Sequence, residues 1–253
     1  MKNPRSILIT GATSGIGAAL ARDYAAPGVR LVLSGRNEER LEAVAADARA
    51  AGAEVETAII DVTDAESTGR WVEAADNAAP LDLAIANAGL SGGTHGGGES
   101  VAQANTIFAT NMNGVVNTLN PALERMVARG RGQAALVSSL AGVRGLPGSP
   151  AYSASKAAVR VWGDAMRGRM APRGVTVSIV CPGFVRTPMT DVNQYTMPML
   201  MDVDKAAALI RRRLERGDAM IAFPWPMYLA VRLMAALPRP LADYLYGRMP
   251  EKK

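Results

Sequence analysis

Near the N-terminus a short apolar run is followed directly by a glycine-rich turn and an alanine-rich segment. Residues 6–10 (SILIT) predict a β-strand, and the alanine-rich stretch from after Gly17 to about residue 26 predicts a helix. In the turn between them, Gly11, Gly15 and Gly17 follow the spacing GxxxGxG. Glycines let a phosphate approach the backbone, and the N–H groups at a helix start attract its charge. This order predicts the opening unit of a parallel α/β sheet with a phosphate site; a purely structural turn is the alternative.

The rest of the chain alternates apolar runs with helix-forming segments. Strands are predicted at residues 30–34, 54–60, 81–86, 134–138, 175–180 and 219–223. Helices are predicted at residues 38–51 with Asn37 as N-cap, around Trp71, at 101–129 as one long helix, and at 152–170. No repeat or linker divides the chain. The pattern predicts one α/β domain over residues 1–253, a doubly wound parallel sheet of about seven strands with its ligand chemistry at the carboxyl ends of the strands.

Composition narrows the kinds of site that the chain can hold. One cysteine, Cys181, and one histidine, His95, exclude disulfide frameworks, zinc clusters and His-based triads, so no metal site is expected. Cys181 is expected to be a buried apolar residue, and His95 to lie in a surface loop. The net charge is +5, but the basic residues are scattered and aromatic residues make up only 5%, which argues against nucleic-acid binding. Scarce cysteine and the absence of a signal-peptide pattern predict a cytoplasmic protein.

Tyr152 and Lys156 lie four residues apart in a predicted helix and therefore share one face. A cation about 4 Å from a phenol favours the phenolate by up to roughly 4 kcal/mol, which lowers the phenol pKa by about three units. The spacing thus predicts a tyrosine that exchanges protons near neutral pH, as a general acid or base does. The alternative is an aromatic ring packed on a surface lysine.

At the end of the second predicted strand, Gly35 and Arg36 stand where this fold faces the adenosine ribose of a dinucleotide. An acidic side chain there would bind the 2′-hydroxyl of NAD, and neither residue supplies one. Glycine leaves room for a 2′-phosphate and a guanidinium binds it, so NADP is predicted in preference to NAD. The alternative is that Arg36 is only a solvated residue at a helix start.

Several short motifs occur together along the chain. They are TGATSGIG at 10–17, DV at 61–62, NAG at 87–89, Asn111, Ser139, YSASK at 152–156 and PGFVRT at 182–187. With these pieces the chain resembles the short-chain dehydrogenase/reductase family over roughly residues 5–190. The resemblance implies a Rossmann-type sheet, a nicotinamide cofactor and homodimers or homotetramers formed through helices that here include residues 101–129 and 151–170.

The resemblance also implies a role for individual residues. Tyr152 would exchange a proton with a substrate carbonyl or alcohol, Ser139 would orient the same oxygen, Lys156 would lower the Tyr152 pKa and bind the nicotinamide ribose, and Asn111 would hold a functional water. Thr187 would contact the nicotinamide carboxamide. The implied cofactor-binding residues are Gly11, Thr13, Ser14, Gly15, Ile16, Gly17, Gly35, Arg36, Asp61, Val62, Asn87, Ala88, Gly89, Tyr152, Lys156, Pro182, Gly183, Val185 and Thr187.

The C-terminal quarter carries weaker signals. Residues 188–216 lie where the family places a substrate lid, and their methionines suit an adaptable apolar pocket; Asp202 is predicted to cap a helix. Residues 222–253 form a helical C-terminal extension that is too short and too interrupted by proline to span a bilayer. It is predicted to pack on the core or on another subunit; binding to a membrane surface through Trp225, Tyr228, Tyr244 and Tyr246 is the alternative.

Taken together, the residues and the resemblance predict an NADP(H)-dependent oxidoreductase that transfers hydride between the nicotinamide and a carbonyl or secondary alcohol. Its substrate would be small to medium in size and moderately apolar. A membrane-surface reductase of lipid-like substrates and a non-catalytic NADP-binding regulator are the alternatives. The complete Asn111, Ser139, Tyr152 and Lys156 set disfavours the regulator, which has no need of all four residues.

Overall fold

A parallel sheet forms the centre of the molecule. The computed structural model describes residues 2–93, 98–193 and 195–238, together with Pro240, Leu241 and Tyr244. Within them, seven strands pair in parallel in the order β3-β2-β1-β4-β5-β6-β7. The strands are β1 (Ser6–Thr10), β2 (Arg30–Gly35), β3 (Glu54–Ile59), β4 (Leu83–Ala86), β5 (Gly132–Val137), β6 (Val175–Pro182) and β7 (Met220–Phe223). The predicted doubly wound fold is confirmed.

Helices cover both faces of this sheet. They are α1 (Gly15–Tyr24), α2 (Glu38–Ala50), α3 (Ala65–Ala78), α4 (Val101–Phe108), α5 (Gly114–Ala128), α6 (Pro150–Met170), α7 (Pro188–Asp191), α8 (Val203–Glu215) and α9 (Trp225–Ala236). Alternate residues of β1 face opposite layers: Ile7 and Ile9 pack with α1, α2 and α8, and Leu8 packs with α3, α5 and α6. Two cores therefore hold the sheet, one on each side.

The helix predicted over residues 101–129 is interrupted. A π-helical turn, Ala109–Asn113, separates α4 from α5 and carries Asn111. Single π turns inside α-helices occur mostly at functional sites. Here the buried Asn111 side chain bonds to neighbouring segments and not along its own helix, which periodicity alone does not reveal.

The two predicted helix caps have different outcomes. Asn37 caps α2, because its Oδ1 accepts a hydrogen bond of 2.8 Å from the Arg40 N–H. Asp202 precedes α8, but its side chain accepts no hydrogen bond from that helix. Its carboxylate instead lies 3.6 Å from Arg186 and 3.5 Å from Lys205, so the prediction of an Asp202 cap is wrong at the level of its side chain.

The C-terminal part of the described chain ends in α9. One side of this helix faces a cavity described below, and Trp225, Leu229 and Leu233 on the other side are exposed. Among the described residues, no helix is both long and apolar enough to cross a membrane. Tyr246 lies outside the described residues, so binding of this extension to a partner subunit or a membrane surface stays a prediction.

Candidate active site

The glycine turn after β1 lies against the end of β4. Gly11 and Gly15 have φ of +67° and +55°, backbone conformations that favour glycine. A Cβ on Gly11 would stand 2.8 Å from the Ala88 Cα, so the turn has no room for a side chain. The Ser14 side chain makes no cap bond to α1, which leaves the N–H groups of its first turn to bind a phosphate.

Asn87 joins the glycine turn to β4. Its Nδ2 donates to the Thr10 carbonyl at 3.0 Å and to the Gly11 carbonyl at 3.2 Å. The N–H groups of Asn87 and Ala88 both donate to the Thr10 hydroxyl. A Cβ on Gly17 would overlap Asn87 Nδ2 and the Gly11 carbonyl. Gly17 therefore lets α1 pack on the turn. It does not line the cavity, although it was among the predicted cofactor-binding residues.

Two cations lie beside the end of β2, where there is little free space: Arg36 directly follows the strand, and Arg40 belongs to α2. Arg36 and Arg40 are exposed and line the same part of the cavity, together with Asn37. A Cβ on Gly35 would overlap the Thr13 Cγ2, so any side chain at position 35 displaces Thr13. Arg40 was not among the predicted residues, although a second cation in the first turn of α2, close in sequence to Arg36, is a signal that could have identified it.

Asp61 and Val62 follow β3 and form another wall. The Asp61 carboxylate accepts hydrogen bonds from the backbone and hydroxyl of Thr63 at 2.9 and 2.8 Å, and these bonds, with the nearby charge of Arg36, hold its pKa below the usual value. Asn117 Nδ2 donates to the Val62 carbonyl at 2.9 Å. A Cβ on Gly114 would stand 2.6 Å from a Val62 methyl group, so the absence of a side chain there lets α5 approach this wall.

Ser139, Tyr152 and Lys156 meet where β5 and β6 end beside α6. Ser139 follows β5, and its Oγ accepts from the Ala141 N–H at 3.1 Å and donates to the Pro182 carbonyl at 3.4 Å. The Lys156 Nζ donates to the Val137 carbonyl at 2.8 Å and lies 5.9 Å from the centroid of the Tyr152 ring. The helix is pressed close to the loop after β5, since a Cβ on Gly142 would stand 2.6 Å from the Lys156 backbone.

Burial sets the protonation of both catalytic candidates. It raises the pKa of the Tyr152 phenol above its ordinary value, while a hydrogen bond with Ser139 opposes that effect. Burial also lowers the pKa of Lys156 from 10.5 to about 8. Burial therefore moves the Tyr152 pKa in the direction opposite to the one predicted from the Lys156 spacing, and the Lys156 Nζ donates to the Val137 carbonyl. Tyr152 is a neutral phenol ready to donate a proton.

Asn111 links the loop after β4 to the helix that carries Tyr152 and Lys156. Its Oδ1 accepts from the Leu90 N–H at 2.7 Å, and its Nδ2 donates to the Leu90 carbonyl at 2.9 Å and to the Ser155 hydroxyl at 3.0 Å. Ser155 in turn donates to the Tyr152 carbonyl at 2.8 Å. Asn111 is fully buried and does not line the cavity, so its side chain connects the loop after β4 with α6. The predicted water contact stays a prediction.

These walls enclose one elongated cavity of about 650 Å³ at the carboxyl ends of the strands. All the predicted cofactor residues except Gly17 line it, as do Ser139, Tyr152 and Lys156 of the catalytic set. It is also lined by residues outside the predicted cofactor and catalytic sets: Asn37, Arg40, Ile60, Leu90, Thr110, Val137, Ser138, Pro188, Met189 and Thr190. The last three belong to the predicted lid, and the sequence carries no distinctive motif for the others.

A second, more apolar cavity of about 500 Å³ adjoins the first. Ser139, Tyr152, Gly183, Met189 and Thr190 line both cavities. The remaining walls of the second cavity come from Ser91, from the loop after β5 and from the inner side of α9, which contributes Met227, Val231 and Met234. They are completed by Phe184, Asn193, Tyr195, Thr196 and Pro198. The Ser139–Tyr152 pair therefore stands at the junction between the first cavity and the more apolar second one.

Of the predicted lid, residues 188–216, only the first part borders the cavities. Met189, Thr190, Tyr195 and neighbouring residues line the second cavity, and Tyr195 packs edge-on against Phe184 with ring centroids 6.2 Å apart. Ala206, Ala207, Ile210 and Leu214 of α8 are instead buried in the core beside α1. Those residues of the predicted lid that border the cavities lie between Pro188 and Pro198, and the lid itself stays a prediction.

The single cysteine and the single histidine have separate outcomes. Cys181 is fully buried in β6, as predicted, and burial raises the pKa of its thiol to about 11. His95 lies outside the described residues. Among the described residues, no group of three or more His, Cys, Asp or Glu side chains is placed to hold a metal ion.

Comparison with known families identifies this arrangement. The model of the short chain dehydrogenase family matches residues 5–197. The chain belongs to the short chain dehydrogenase family. That assignment confirms the resemblance and makes the chain an oxidoreductase with a nicotinamide-binding fold.

Individual relatives extend beyond the matched region. An uncharacterized oxidoreductase of Myxococcus xanthus (strain DK1622) is 41% identical over 246 residues, covering 97% of each chain. The solved structure of a short-chain dehydrogenase from Sphingobium yanoikuyae in complex with NADPH has a TM-score of 0.79 and 26% identity, covering 98% of this chain and 97% of that one. A short chain dehydrogenase/reductase from Burkholderia phymatum in complex with NAD has a TM-score of 0.82 at 24% identity, covers 98% of this chain and 96% of that one, and shares the fold.

Proposed function

We propose that this oxidoreductase uses NADPH to reduce an apolar ketone or aldehyde, or NADP to oxidise the corresponding secondary alcohol. The observation that carries the proposal is the junction of the two cavities at Ser139 and Tyr152. A carbonyl group held there would lie between the Tyr152 phenol and the first cavity, which we propose to hold the dinucleotide. NADPH, when bound, supplies the hydride.

The side chains at the junction divide the remaining work. Tyr152, whose pKa is raised by burial, donates its proton to the carbonyl oxygen as negative charge develops there. The Ser139 hydroxyl, fixed by Ala141 and Pro182, orients the same oxygen. Lys156 binds the nicotinamide ribose and places a positive charge beside the phenol, which stabilises the phenolate that proton transfer leaves. Thr187, which lines the same cavity, would contact the nicotinamide carboxamide.

The preference for NADP over NAD rests on the end of β2. Arg36 and Arg40 supply two cations, and neither Gly35 nor Thr13 offers a carboxylate to a ribose 2′-hydroxyl. A guanidinium binds a 2′-phosphate through charge-assisted hydrogen bonds. The NADPH complex of the Sphingobium yanoikuyae relative supports the same choice.

The substrate pocket favours a carbonyl compound with apolar substituents. Its volume of about 500 Å³ lies within the range of small-molecule sites, and methionine, aromatic and branched side chains form much of its surface. Met189, Met227 and Met234 have flexible thioethers that adapt to different shapes. We therefore propose a medium-sized, moderately apolar ketone or aldehyde as the substrate class.

The proposal also covers the subunit assembly and the location of the enzyme. Val101 and Phe108 of α4 and Val161 of α6 are large apolar residues exposed on the helices through which the family assembles. We propose a cytoplasmic homodimer or homotetramer joined through these helices. Sedimentation equilibrium tests it, and a monomer at micromolar concentration would contradict it.

The experiment for the activity is a screen of carbonyl compounds for oxidation of NADPH. The panel contains propiophenone, octanal, benzil and cyclohexanone, with glucose as a polar control, and NADPH binding is measured in parallel by fluorescence. Turnover of the apolar compounds above the glucose rate supports the proposal. Binding of NADPH without turnover of any carbonyl compound would favour the non-catalytic regulator instead.

A further inference from the structure

The helix that carries Tyr152 begins without a cap of its own. Ser149 precedes α6, but its side chain makes no cap bond, and Pro150 has no N–H. The next N–H belongs to Ala151, which is buried. It donates to the Glu99 Oε2 at 2.6 Å. A carboxylate from another part of the chain thus satisfies a buried donor that would otherwise have no partner.

Glu99 belongs to the segment between β4 and α4, 52 residues before Ala151. Its other oxygen, Oε1, stands 3.6 Å from where a Cβ on Gly92 would be, so Glu99 packs over this buried glycine. The same segment is tied to α4, since Gln103 Nε2 donates to the Gly93 carbonyl at 3.2 Å. Ser91 of this segment lines the apolar cavity. Glu99 therefore links one wall of the substrate pocket to the start of α6.

Tyr152 directly follows the residue that Glu99 holds. A shift of the first turn of α6 therefore moves the phenol, while Ser139 is fixed separately through Ala141 and Pro182. Reacting groups tolerate little displacement, because a misplacement of about 1 Å costs on the order of a hundredfold in rate. We propose that Glu99 is a positioning residue, which holds the start of α6 so that Tyr152 and Ser139 meet the same substrate oxygen. This inference rests on the proposed carbonyl reduction.

A helix cap that only stabilised the fold would have different consequences. Its loss would lower the melting temperature and leave kcat of the folded enzyme unchanged. Loss of a positioning residue lowers kcat in the folded enzyme and leaves cofactor affinity intact. The required property is the hydrogen-bond acceptor at the end of a side chain of this length, so the neutral amide of glutamine should replace the carboxylate.

The test compares Glu99→Gln, which keeps an acceptor, with Glu99→Met, which has similar length and no strong acceptor. With the fastest ketone of the panel, Glu99→Met is expected to lower kcat about ten- to a hundredfold, with KM and the NADPH Kd within threefold of wild type. Glu99→Gln is expected to retain kcat within threefold. Asp64→Ala is the control: Asp64 is the local N-cap of α3, where its carboxylate accepts a 3.0 Å bond from the Ser67 N–H, and its loss should lower the melting temperature alone.

Amide hydrogen exchange of residues 149–156 supplies a readout that does not need a substrate. Exchange in this stretch should be faster in Glu99→Met than in wild type or Glu99→Gln. If the wild type reduces no carbonyl compound, the proposed function fails, and unchanged exchange in Glu99→Met would then overturn the link to α6 separately. A kcat within threefold of wild type in Glu99→Met, or a Glu99→Gln variant as slow as Glu99→Met, would overturn the positioning role. If Glu99→Met does not fold, Glu99→Asp, which is one methylene shorter, replaces it with the same expected loss of kcat.

Discussion

Lys156 carries its charge where water has little access to it. The residue is 4% exposed, and its pKa is lowered from 10.5 to about 8. The distance of four residues to Tyr152 could be predicted from the sequence, and with it the shared helix face. The direction of the Tyr152 pKa could not, because desolvation depends on residues from β5, β6 and the lid that no local spacing describes.

We predict that Lys156→Met is more stable than wild type at pH 7. The lowered pKa means that keeping Lys156 charged in the folded state costs roughly 3 kcal/mol of stability, which methionine avoids. Methionine also loses the hydrogen bond to the Val137 carbonyl, which reduces this gain by about 1 kcal/mol. The folded state releases this proton near pH 8 and the unfolded state near 10.5, so the stability contributed by Lys156 rises with pH across that window.

Urea unfolding at several pH values checks this prediction. The gain of about 2 kcal/mol at pH 7 should shrink steadily as the pH rises from about 8 to about 10. Lys205→Met, at an exposed lysine of α8, is the matched control and should show no such trend. A Lys156→Met variant that is less stable than wild type at pH 7 would show that contacts in the folded state offset the cost of burying the Lys156 ammonium.

The cofactor preference depends on a contact between two neighbouring turns. Because a side chain at Gly35 overlaps Thr13, Gly35→Asp alone should weaken binding of both NADPH and NADH. The triple variant Thr13→Ala, Gly35→Asp, Arg36→Ala removes the overlap and the cation and adds a ribose acceptor.

We expect the triple variant to reverse the preference. Losing the Arg36 contact costs about 1.5–3 kcal/mol, which is ten- to 150-fold in affinity for NADPH. The measurement is the ratio of kcat/KM for NADPH over NADH in wild type, in Gly35→Asp and in the triple variant. A wild type that prefers NADH, or a ratio that stays unchanged in the triple variant, would show that the end of β2 does not select the cofactor.

At the scale of elements, periodicity located every described strand and most helices. Most of the strands are buried apolar runs, whereas β3 is largely exposed and mixes polar with apolar residues. It missed the π turn at residues 109–113, which depends on side-chain bonds from Asn111 to Leu90 and Ser155 across distant segments. It also left open what α9 contacts. The inner side of α9 closes the substrate pocket, and no apolar pattern in this short helix distinguishes a pocket wall from a core helix.

We predict that α9 limits the size of the substrate. Met234→Ala should raise kcat/KM for benzil relative to propiophenone by about tenfold, because it removes several atoms from the pocket wall. Leu233→Ala, one residue earlier on the exposed side of the same helix, should leave this ratio unchanged. Equal effects of the two substitutions would mean that α9 acts through general stability and not through the pocket.

At the scale of the whole molecule, the site exists because parallel strands bring distant segments to one edge. Residues after β1, β2, β3, β4, β5 and β6 all line a single cavity, and the sequence predicts this once the sheet is recognised. The apolar pocket was harder to predict. Its walls come from loops and from α9, whose positions depend on packing and carry no motif.

The central claim is that Tyr152 gives its proton to a substrate carbonyl where the two cavities meet. The most direct test measures kcat for NADPH-dependent reduction of the fastest ketone by wild type and by Tyr152→Phe, together with the NADPH Kd of both. Phenylalanine keeps the ring and removes only the phenolic hydroxyl that carries the proton, so kcat should fall by a factor of about 10²–10⁴ while the Kd changes less than twofold. A Tyr152→Phe variant whose kcat remains within tenfold of wild type would contradict the claim.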